Sequence, residues 1–176
     1  MCGGSFGLLQ LAPAQQQDIR LTTHTYKKAD ALEIKADVHR ANDDVTRPVM
    51  VWIHGGALIN GHHAGISSRV KEMMLGAGYV IVSIDYRLAP ETKLPAIIED
   101  LEDAFEWVRE EGQKLFNADT SKIAVMGGSV GGCLTLTSGY RVRPRPAVLV
   151  SFGDTAILSE TGTASPARMR GTTAQR

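Results

Sequence analysis

A serine framed by glycines carries the clearest chemical potential in this sequence. The stretch KIAVMGGSVGGCL, residues 122–134, fits G-x-S-x-G at Gly127, Ser129 and Gly131. At such a strand-to-helix turn the serine is held in a strained conformation with its Oγ exposed, and the helix N-terminus supplies free N–H groups. The residues two before and two after must be small, because their Cβ atoms would otherwise collide. The spacing predicts a nucleophile, with a plain turn or a phosphate-binding loop as alternatives.

Two further motifs follow predicted strands upstream. HGGA, residues 54–57, offers exposed backbone N–H groups that can bind a developing oxyanion, and its glycines let a substrate approach the backbone closely. Its bland alternative is a simple turn that contains a histidine. DYRLAPE, residues 85–91, favours a structural role in which Arg87 pairs with a nearby acid and Pro90 fixes a bend.

The elements that must position these motifs alternate along the chain. THTYKK and LEIKADVHR show period-two patterns and predict an N-terminal antiparallel hairpin. The apolar runs VMVWI, YVIVSID, KIAVM and AVLVSF predict buried strands. Helices are predicted for SSRVKEMMLGAG, for a segment opened by Pro95 and closed by Gly112, and from about Val130 to Tyr140. The fold class is therefore α/β, a mostly parallel sheet with helices on both faces.

HGGA, DYRLAPE and GGSVGG, in this order and on these elements, resemble the hormone-sensitive-lipase-like branch of the α/β-hydrolase fold. The resemblance runs from roughly Thr22 to Asp154. It implies that Ser129 attacks a carboxylic ester of short to medium acyl length to form an acyl-enzyme, without a cofactor or metal. Members usually carry a third glycine where this chain has Ala57, which narrows the pocket slightly. The oxyanion donors that the resemblance implies are the backbone N–H groups of Gly55, Gly56, Ala57 and Val130.

The catalytic partners of this fold do not follow Ser129 in the sequence. The expected order is Ser, then Asp or Glu, then His. Only Asp154 and Glu160 are acids after Ser129, and Asp154 comes too early to be the family's catalytic acid. Every histidine precedes Ser129: His24, His39, His54, His62 and His63. We therefore expect a weak or inactive esterase, the alternative being a non-catalytic remnant that binds a small acyl ligand or a protein partner.

The end of the chain resembles a hydrolase sheet that lacks its last strands. PAVLVSF has the composition of an interior strand and would lie at an open edge, which predicts self-association. The expected organisation is a poorly ordered N-terminus at 1–21, a partial hydrolase domain at 22–158 and a disordered tail at 159–176. The tail from about residue 155 suggests an altered splice or reading frame.

Other candidate sites are weaker. His62 and His63 are neighbours on a loop without a Cys or acid cluster, so pocket lining or solvent exposure is favoured over metal binding. Cys133 is expected to be a small buried packing residue. A nucleotide site with Asp154 holding a ribose is disfavoured, because Ser129 would crowd a pyrophosphate and Cys133 stands where a P-loop needs lysine.

Composition excludes several classes of partner. The 176 residues are 43% hydrophobic, and 19 basic residues balance 19 acidic ones, so nothing suggests a nucleic-acid partner. No apolar run approaches the roughly 20 residues of a membrane span. The N-terminus lacks Lys or Arg before its apolar run, and Cys2 and Cys133 make no disulfide framework. We expect a cytoplasmic protein that acts on a small-molecule ester.

Overall fold

Six strands and three helices carry the fold. The structure, a computed structural model, describes residues 18–153 and the backbone of two short strands, β7 (Ile157–Leu158) and β8 (Ala164–Ser165), which pair with each other. The main strands are β1 (Ile19–Ala29), β2 (Leu32–Ala41), β3 (Arg47–Ile53), β4 (Val80–Ile84), β5 (Ala118–Gly128) and β6 (Val148–Phe152). The helices are α1 (Ser68–Gly76), α2 (Leu94–Phe116) and α3 (Val130–Arg141), and a 3₁₀ turn spans His63–Gly65.

The main sheet is mostly parallel. Its strand order is β1-β2-β4-β3-β5-β6, and the four strands β4, β3, β5 and β6 run parallel to one another. The β1–β2 hairpin is antiparallel and joins the sheet through an antiparallel β2–β4 pair. The α/β class and the N-terminal hairpin are thereby confirmed. Because β3 and β5 run parallel, with Ile53 opposite Gly127, the loops that follow them leave the sheet at the same end, the carboxyl end of the strands.

Each face of the sheet has its own core. Strand side chains alternate between faces, so Val51 and Val125 point to one face while Met50 and Met126 point to the other. On the first face α2 and α3 bury their apolar stripes, including Phe105 and Leu134. On the second face α1 contributes Met74 and Leu75. Helices on both faces, as the sequence predicts, thus cover the two sides of the parallel strands.

Two expected boundaries differ from the structure. β1 begins at Ile19, inside the stretch assigned to a poorly ordered N-terminus, because its first residue already pairs with Ala41 of β2. Helix α2 passes through Gly112 and continues to Phe116, so the expectation that Gly112 closes it is wrong. Gly112 is a packing position: a Cβ there would lie 3.1 Å from the ring of Phe116. Residues 1–17, and most of the tail expected at 159–176, lie outside the described residues.

The expected structural role of Arg87 is confirmed. Its Nε and Nη2 donate to the two carboxylate oxygens of Asp100 on α2, each at 2.8 Å. Lys27 of β1 adds a second ion pair to Asp100 at 2.7 Å. Burial alone would raise the pKa of Asp100, but the hydrogen bonds from Arg87 and Lys27 outweigh it and hold the pKa below its usual range. This cluster fastens the loop after β4 to α2 and to the hairpin.

Candidate active site

Ser129 lies at the sharp turn between β5 and α3. Its backbone has φ 54° and ψ −127°, a conformation that L-residues rarely adopt, and the residue is exposed. The Ser129 N–H donates to the carbonyl of Phe152 at the end of β6 at 2.8 Å. Its own carbonyl accepts from the N–H of Gly132, also at 2.8 Å. The serine side chain is therefore presented to solvent from a fixed backbone.

Steric crowding explains the glycines on either side. A Cβ on Gly127 would overlap the carbonyl of Gly131 and lie 2.8 Å from Thr135 Oγ1. A Cβ on Gly131 would overlap the carbonyl of Ile53 and lie 2.6 Å from that of His54. Both positions therefore need glycine, because α3 crosses directly over the ends of β3 and β5.

The HGGA loop lies against this turn. A Cβ on Gly55 would lie 2.9 Å from the Gly128 carbonyl and 3.5 Å from Ser129 Cβ. Gly56 and Ala57 are exposed, with φ values of 107° and 54°. The N–H groups of Ile59 and Asn60 both donate to the carbonyl of Gly56, which closes the turn.

Backbone donors are available at this meeting point. Among the residues that the structure describes, the hydrogen bonds use neither the N–H groups of Gly56 and Ala57 nor that of Val130. The N–H of Ser129 is already engaged by Phe152. The unused N–H groups thus belong to the HGGA loop and to the first residue of α3, and they are among those for which the resemblance implies an oxyanion role.

His54 is packed beneath the HGGA loop. Its ring stacks on Tyr86, with centroids 4.2 Å apart and planes 12° apart, and its Nδ1 lies 2.8 Å from the Gly55 carbonyl. The Tyr86 hydroxyl donates to the His54 carbonyl at 3.0 Å. Burial lowers the pKa of His54. The ring packs against Tyr86 and supports the HGGA loop from the protein interior.

No histidine among residues 18–153 forms a hydrogen bond with Ser129. His24 packs against Trp107, and His39 is buried on β2. The Nδ1–H of His63 donates to the carboxylate of Asp85 at 2.6 Å. The Ser129 Oγ has no hydrogen-bond partner in the same span, and Asp154 and Glu160 lie outside it. Among residues 18–153, therefore, no side chain is hydrogen-bonded to the Ser129 hydroxyl.

His63 has a structural role. Asp85 accepts from both the backbone N–H and the ring of His63, and Asp37 lies 3.7 Å from His63 Nε2. The Ser83 hydroxyl donates to the His63 carbonyl. These contacts anchor the far end of the HGGA loop to β2 and β4, which sequence analysis missed. The described residues contain no group of three or more His, Cys, Asp or Glu side chains arranged to hold a metal.

A cavity of about 360 Å³ lies beside the far end of the HGGA loop, at Gly61 and His62. Its wall is formed by the start of β2 and the loop after β4, with His62 at its edge. Ser129 does not line it, so it is separate from the serine turn. Cys133 is buried on α3, as expected of a packing residue.

Comparison with known proteins finds similar sequences and structures among esterases. Esterase LipI of Mycobacterium tuberculosis is 39% identical over 101 residues, which cover 57% of this chain and 31% of that protein. The structure of Thermogutta terrifontis esterase 2 phosphoramylated by tabun matches with a TM-score of 0.68 at 25% identity, over 88% of this chain and 62% of that one. The resemblance to the hormone-sensitive-lipase-like branch of the α/β-hydrolase fold is confirmed.

The family follows from a match over most of the chain. The BD-FAE family model matches residues 32–146, and the chain therefore belongs to the BD-FAE family. A much longer enzyme is also similar to this chain. The non-reducing polyketide synthase atr1 of Stereocaulon alpinum is 35% identical over 155 residues, which cover 80% of this chain and 6% of the synthase. This chain spans less than a third of the length of either curated relative. None of the helices among the described residues combines the length and hydropathy of a membrane span.

Proposed function

We propose that this chain is a serine hydrolase that acts on carboxylic esters with short to medium acyl chains, through the nucleophile Ser129 and a backbone oxyanion hole. The observation that carries the proposal is the exposed, strained Ser129 beside a loop whose N–H groups are unused among the described residues. Membership of the BD-FAE family and the likeness to esterases support the same chemistry. A nucleotide-binding site, the alternative interpretation of the glycine-rich turn, would not explain the HGGA loop beside Ser129.

In the proposed reaction, Ser129 Oγ attacks the carbonyl carbon of the ester. Negative charge develops on the carbonyl oxygen, which accepts hydrogen bonds from the N–H of Val130 and from those of the 55–57 loop. The C–O bond to the alcohol then breaks, the alkoxide takes up a proton, and the acyl group remains on Ser129. Water hydrolyses this ester to release the acid and restore the serine.

Proton transfer limits the rate of this chain on its own. The serine hydroxyl must lose its proton as it attacks, and no described side chain accepts it. Binding and oxyanion stabilisation without a working triad leave only about 10³–10⁴-fold acceleration over water in serine proteases. We therefore expect slow acylation and, because deacylation needs a base as well, an acyl-enzyme that persists.

The test is the mass of the protein after incubation with p-nitrophenyl butyrate. We expect one butyryl group on the peptide that contains Ser129, no such group in Ser129→Ala, and an unchanged yield in the control Ser121→Ala, which alters another exposed serine. Steady-state release of p-nitrophenol should be about equal in wild type and Ser129→Ala.

Two results would contradict the proposal in different ways. The absence of any acyl group on Ser129 would favour the second candidate, a non-catalytic fold that binds a small acyl ligand or a protein partner. Fast turnover that is lost in Ser129→Ala would instead show that a base reaches Ser129, and the expectation of weak activity would be wrong.

A further inference from the structure

Successive carbonyl groups of the HGGA loop accept hydrogen bonds. The His54 carbonyl accepts from the Tyr86 hydroxyl at 3.0 Å, and the Gly55 carbonyl accepts from Nδ1 of the His54 ring at 2.8 Å. The Gly56 carbonyl accepts from two backbone N–H groups of its own turn. A trans peptide unit is planar, with its carbonyl oxygen and its N–H on opposite sides. Each of these bonds therefore fixes the direction of the N–H of the following residue.

A buried side chain makes the bond to the Gly55 carbonyl. Since a carbonyl oxygen can only accept, Nδ1 of His54 carries the proton in this bond. Burial lowers the pKa of His54, so the ring is neutral near neutral pH, and its Nε2 has no hydrogen-bond partner among the described residues. The bond to Gly55 is thus the only hydrogen bond that the ring makes with the described part of the chain.

Two neighbours hold this ring in place. It stacks on Tyr86, and the backbone of Gly61 lies against its Nδ1 edge, because a Cβ on Gly61 would overlap Nδ1 and lie 2.6 Å from the Gly55 carbonyl oxygen. His54 is only 4% exposed, and a hydrogen bond shielded from water in this way is electrostatically stronger. The peptide unit between Gly55 and Gly56 is therefore held firmly from the interior.

We propose that His54, held by Tyr86, is a positioning residue of the oxyanion site. Its Nδ1–H fixes the peptide unit after Gly55 and so directs the Gly56 N–H at the oxygen on which charge develops. A donor that is aimed before the reaction needs no reorganisation as the charge forms. The role assigned to His54 rests on the proposed function, since it has meaning only if Ser129 is acylated. His54 itself neither touches the substrate nor transfers a proton.

The experiment follows the carbonyl stretching band of the butyryl-enzyme by infrared difference spectroscopy, with p-nitrophenyl butyrate labelled with carbon-13 at the carbonyl carbon. Hydrogen bonds to the acyl oxygen lower the frequency of this band. His54→Phe keeps a ring that can stack on Tyr86 but removes the donor. We expect a band at higher frequency and acylation of Ser129 slowed about 10- to 100-fold, somewhat less than the loss of a whole oxyanion donor.

The reciprocal variant separates the hydrogen bond from the packing. His54→Asn loses the ring, but its side-chain amide can still donate to the Gly55 carbonyl. We expect the band to lie close to that of wild type and most of the acylation rate to be restored. A purely structural role for His54 predicts the opposite order, with His54→Asn more affected than His54→Phe.

His39→Phe is the matched control. His39 is also a buried histidine whose Nε2 has no partner among the described residues, but it pairs with Ile81 in the middle of the sheet. Its replacement should change neither the band nor the acylation rate, and circular dichroism melting checks the fold of each variant. If His54→Phe does not fold, Tyr86→Phe provides the test, because it removes only the hydroxyl that binds the His54 carbonyl. We expect it to move the band in the same direction.

The outcomes distinguish this role from the proposed function. A band and a rate that are unchanged in His54→Phe, or in Tyr86→Phe if that variant is needed, would overturn the positioning role while acylation of Ser129 still supported the esterase chemistry. A greater effect in His54→Asn than in His54→Phe would overturn it as well. The absence of any acyl group in wild type would overturn both.

Discussion

The backbone of Ser129 is held in a conformation that costs free energy. Residues in such sparsely populated regions cost about 1–3 kcal/mol and persist only where the surroundings fix them. Here the carbonyl of Phe152 binds the Ser129 N–H, and the N–H of Gly132 binds the Ser129 carbonyl. The turn that strains the Ser129 backbone therefore also exposes the serine Oγ beside the HGGA loop.

Relief of this strain predicts a stability effect at one residue. We expect Ser129→Gly to raise the free energy of unfolding by about 0.5–1 kcal/mol, since glycine adopts positive φ without a Cβ penalty but loses more entropy on folding. Ser129→Ala keeps the Cβ and should stay within about 0.5 kcal/mol of wild type. Urea denaturation of the three proteins measures both values. A Ser129→Gly protein less stable than Ser129→Ala would show that the backbone is not strained.

The sequence anticipated some residues of the site better than others. Ser129, Gly127 and Gly131 follow from local steric needs, so a short motif was sufficient to find them. The support of the HGGA loop by Tyr86 and by the Asp85–His63 pair depends on contacts between segments about 20 to 30 residues apart in the chain. In the sequence, the only sign of this support was that HGGA and DYRLAPE each follow a predicted strand.

The junction of β3, β5 and α3 is the element that brings the two loops together. Gly131 is its closest point, because α3 passes there against the carbonyls of Ile53 and His54. The helix can approach only while this residue lacks a side chain. The position of Val130, and with it the direction of its N–H, depends on that approach.

A methyl group added at Gly131 should therefore push α3 away from the ends of β3 and β5. We expect Gly131→Ala to lower the free energy of unfolding by about 3 kcal/mol, since the methyl overlaps backbone atoms that cannot move aside. Gly128→Ala is the matched control, because a Cβ there meets no atom within 4 Å, and it should change stability by less than about 1 kcal/mol. Thermal or urea unfolding compares the two, and equal losses would contradict the packing argument.

Element order was predictable where hydrophobic periodicity dominates. The alternation of apolar runs and amphipathic stripes gave the strands and helices, and the hairpin followed from period two. The end of α2 was not predictable from Gly112, since glycine also occurs where a ring packs closely, as Phe116 does here. The left-handed Asn117 ends the helix, and asparagine is a weaker signal than glycine for that role.

Across the whole molecule, one buried carboxylate joins three separate segments. Asp100 is fully buried on α2 and binds Arg87 from the loop after β4 and Lys27 from β1. Its ionised form is required by both partners, which is why its pKa lies below the usual range despite burial. The cluster couples the hairpin, the helix layer and the loop that supports HGGA.

Removal of the Asp100 charge should cause a loss of stability that depends on pH. We expect Asp100→Asn to lower the free energy of unfolding by about 3 kcal/mol near neutral pH, because Arg87 and Lys27 lose their common partner. A folded pKa below the unfolded value of about 3.9 gives stability that is present above that pH and lost as pH falls through the folded value. The difference between wild type and variant should therefore shrink below about pH 4.

Asp103 provides the control for this experiment. It also pairs with Lys27, but its side chain is 42% exposed, so Asp103→Asn should cost less than about 1 kcal/mol. Urea titrations across the acid range measure all three proteins. A loss in Asp100→Asn that does not vary with pH would contradict the assignment of the effect to the carboxylate charge.

The most direct test of the central claim is the rate at which a fluorophosphonate modifies the protein, followed by intact mass from about pH 6 to about pH 9. We expect a single adduct at Ser129, absent in Ser129→Ala, with a rate that keeps rising with hydroxide through this range because no described side chain takes the serine proton. A rate that levels off near the ordinary histidine pKa of about 6.5 would reveal a general base, and the absence of an adduct on Ser129 would contradict its role as the nucleophile.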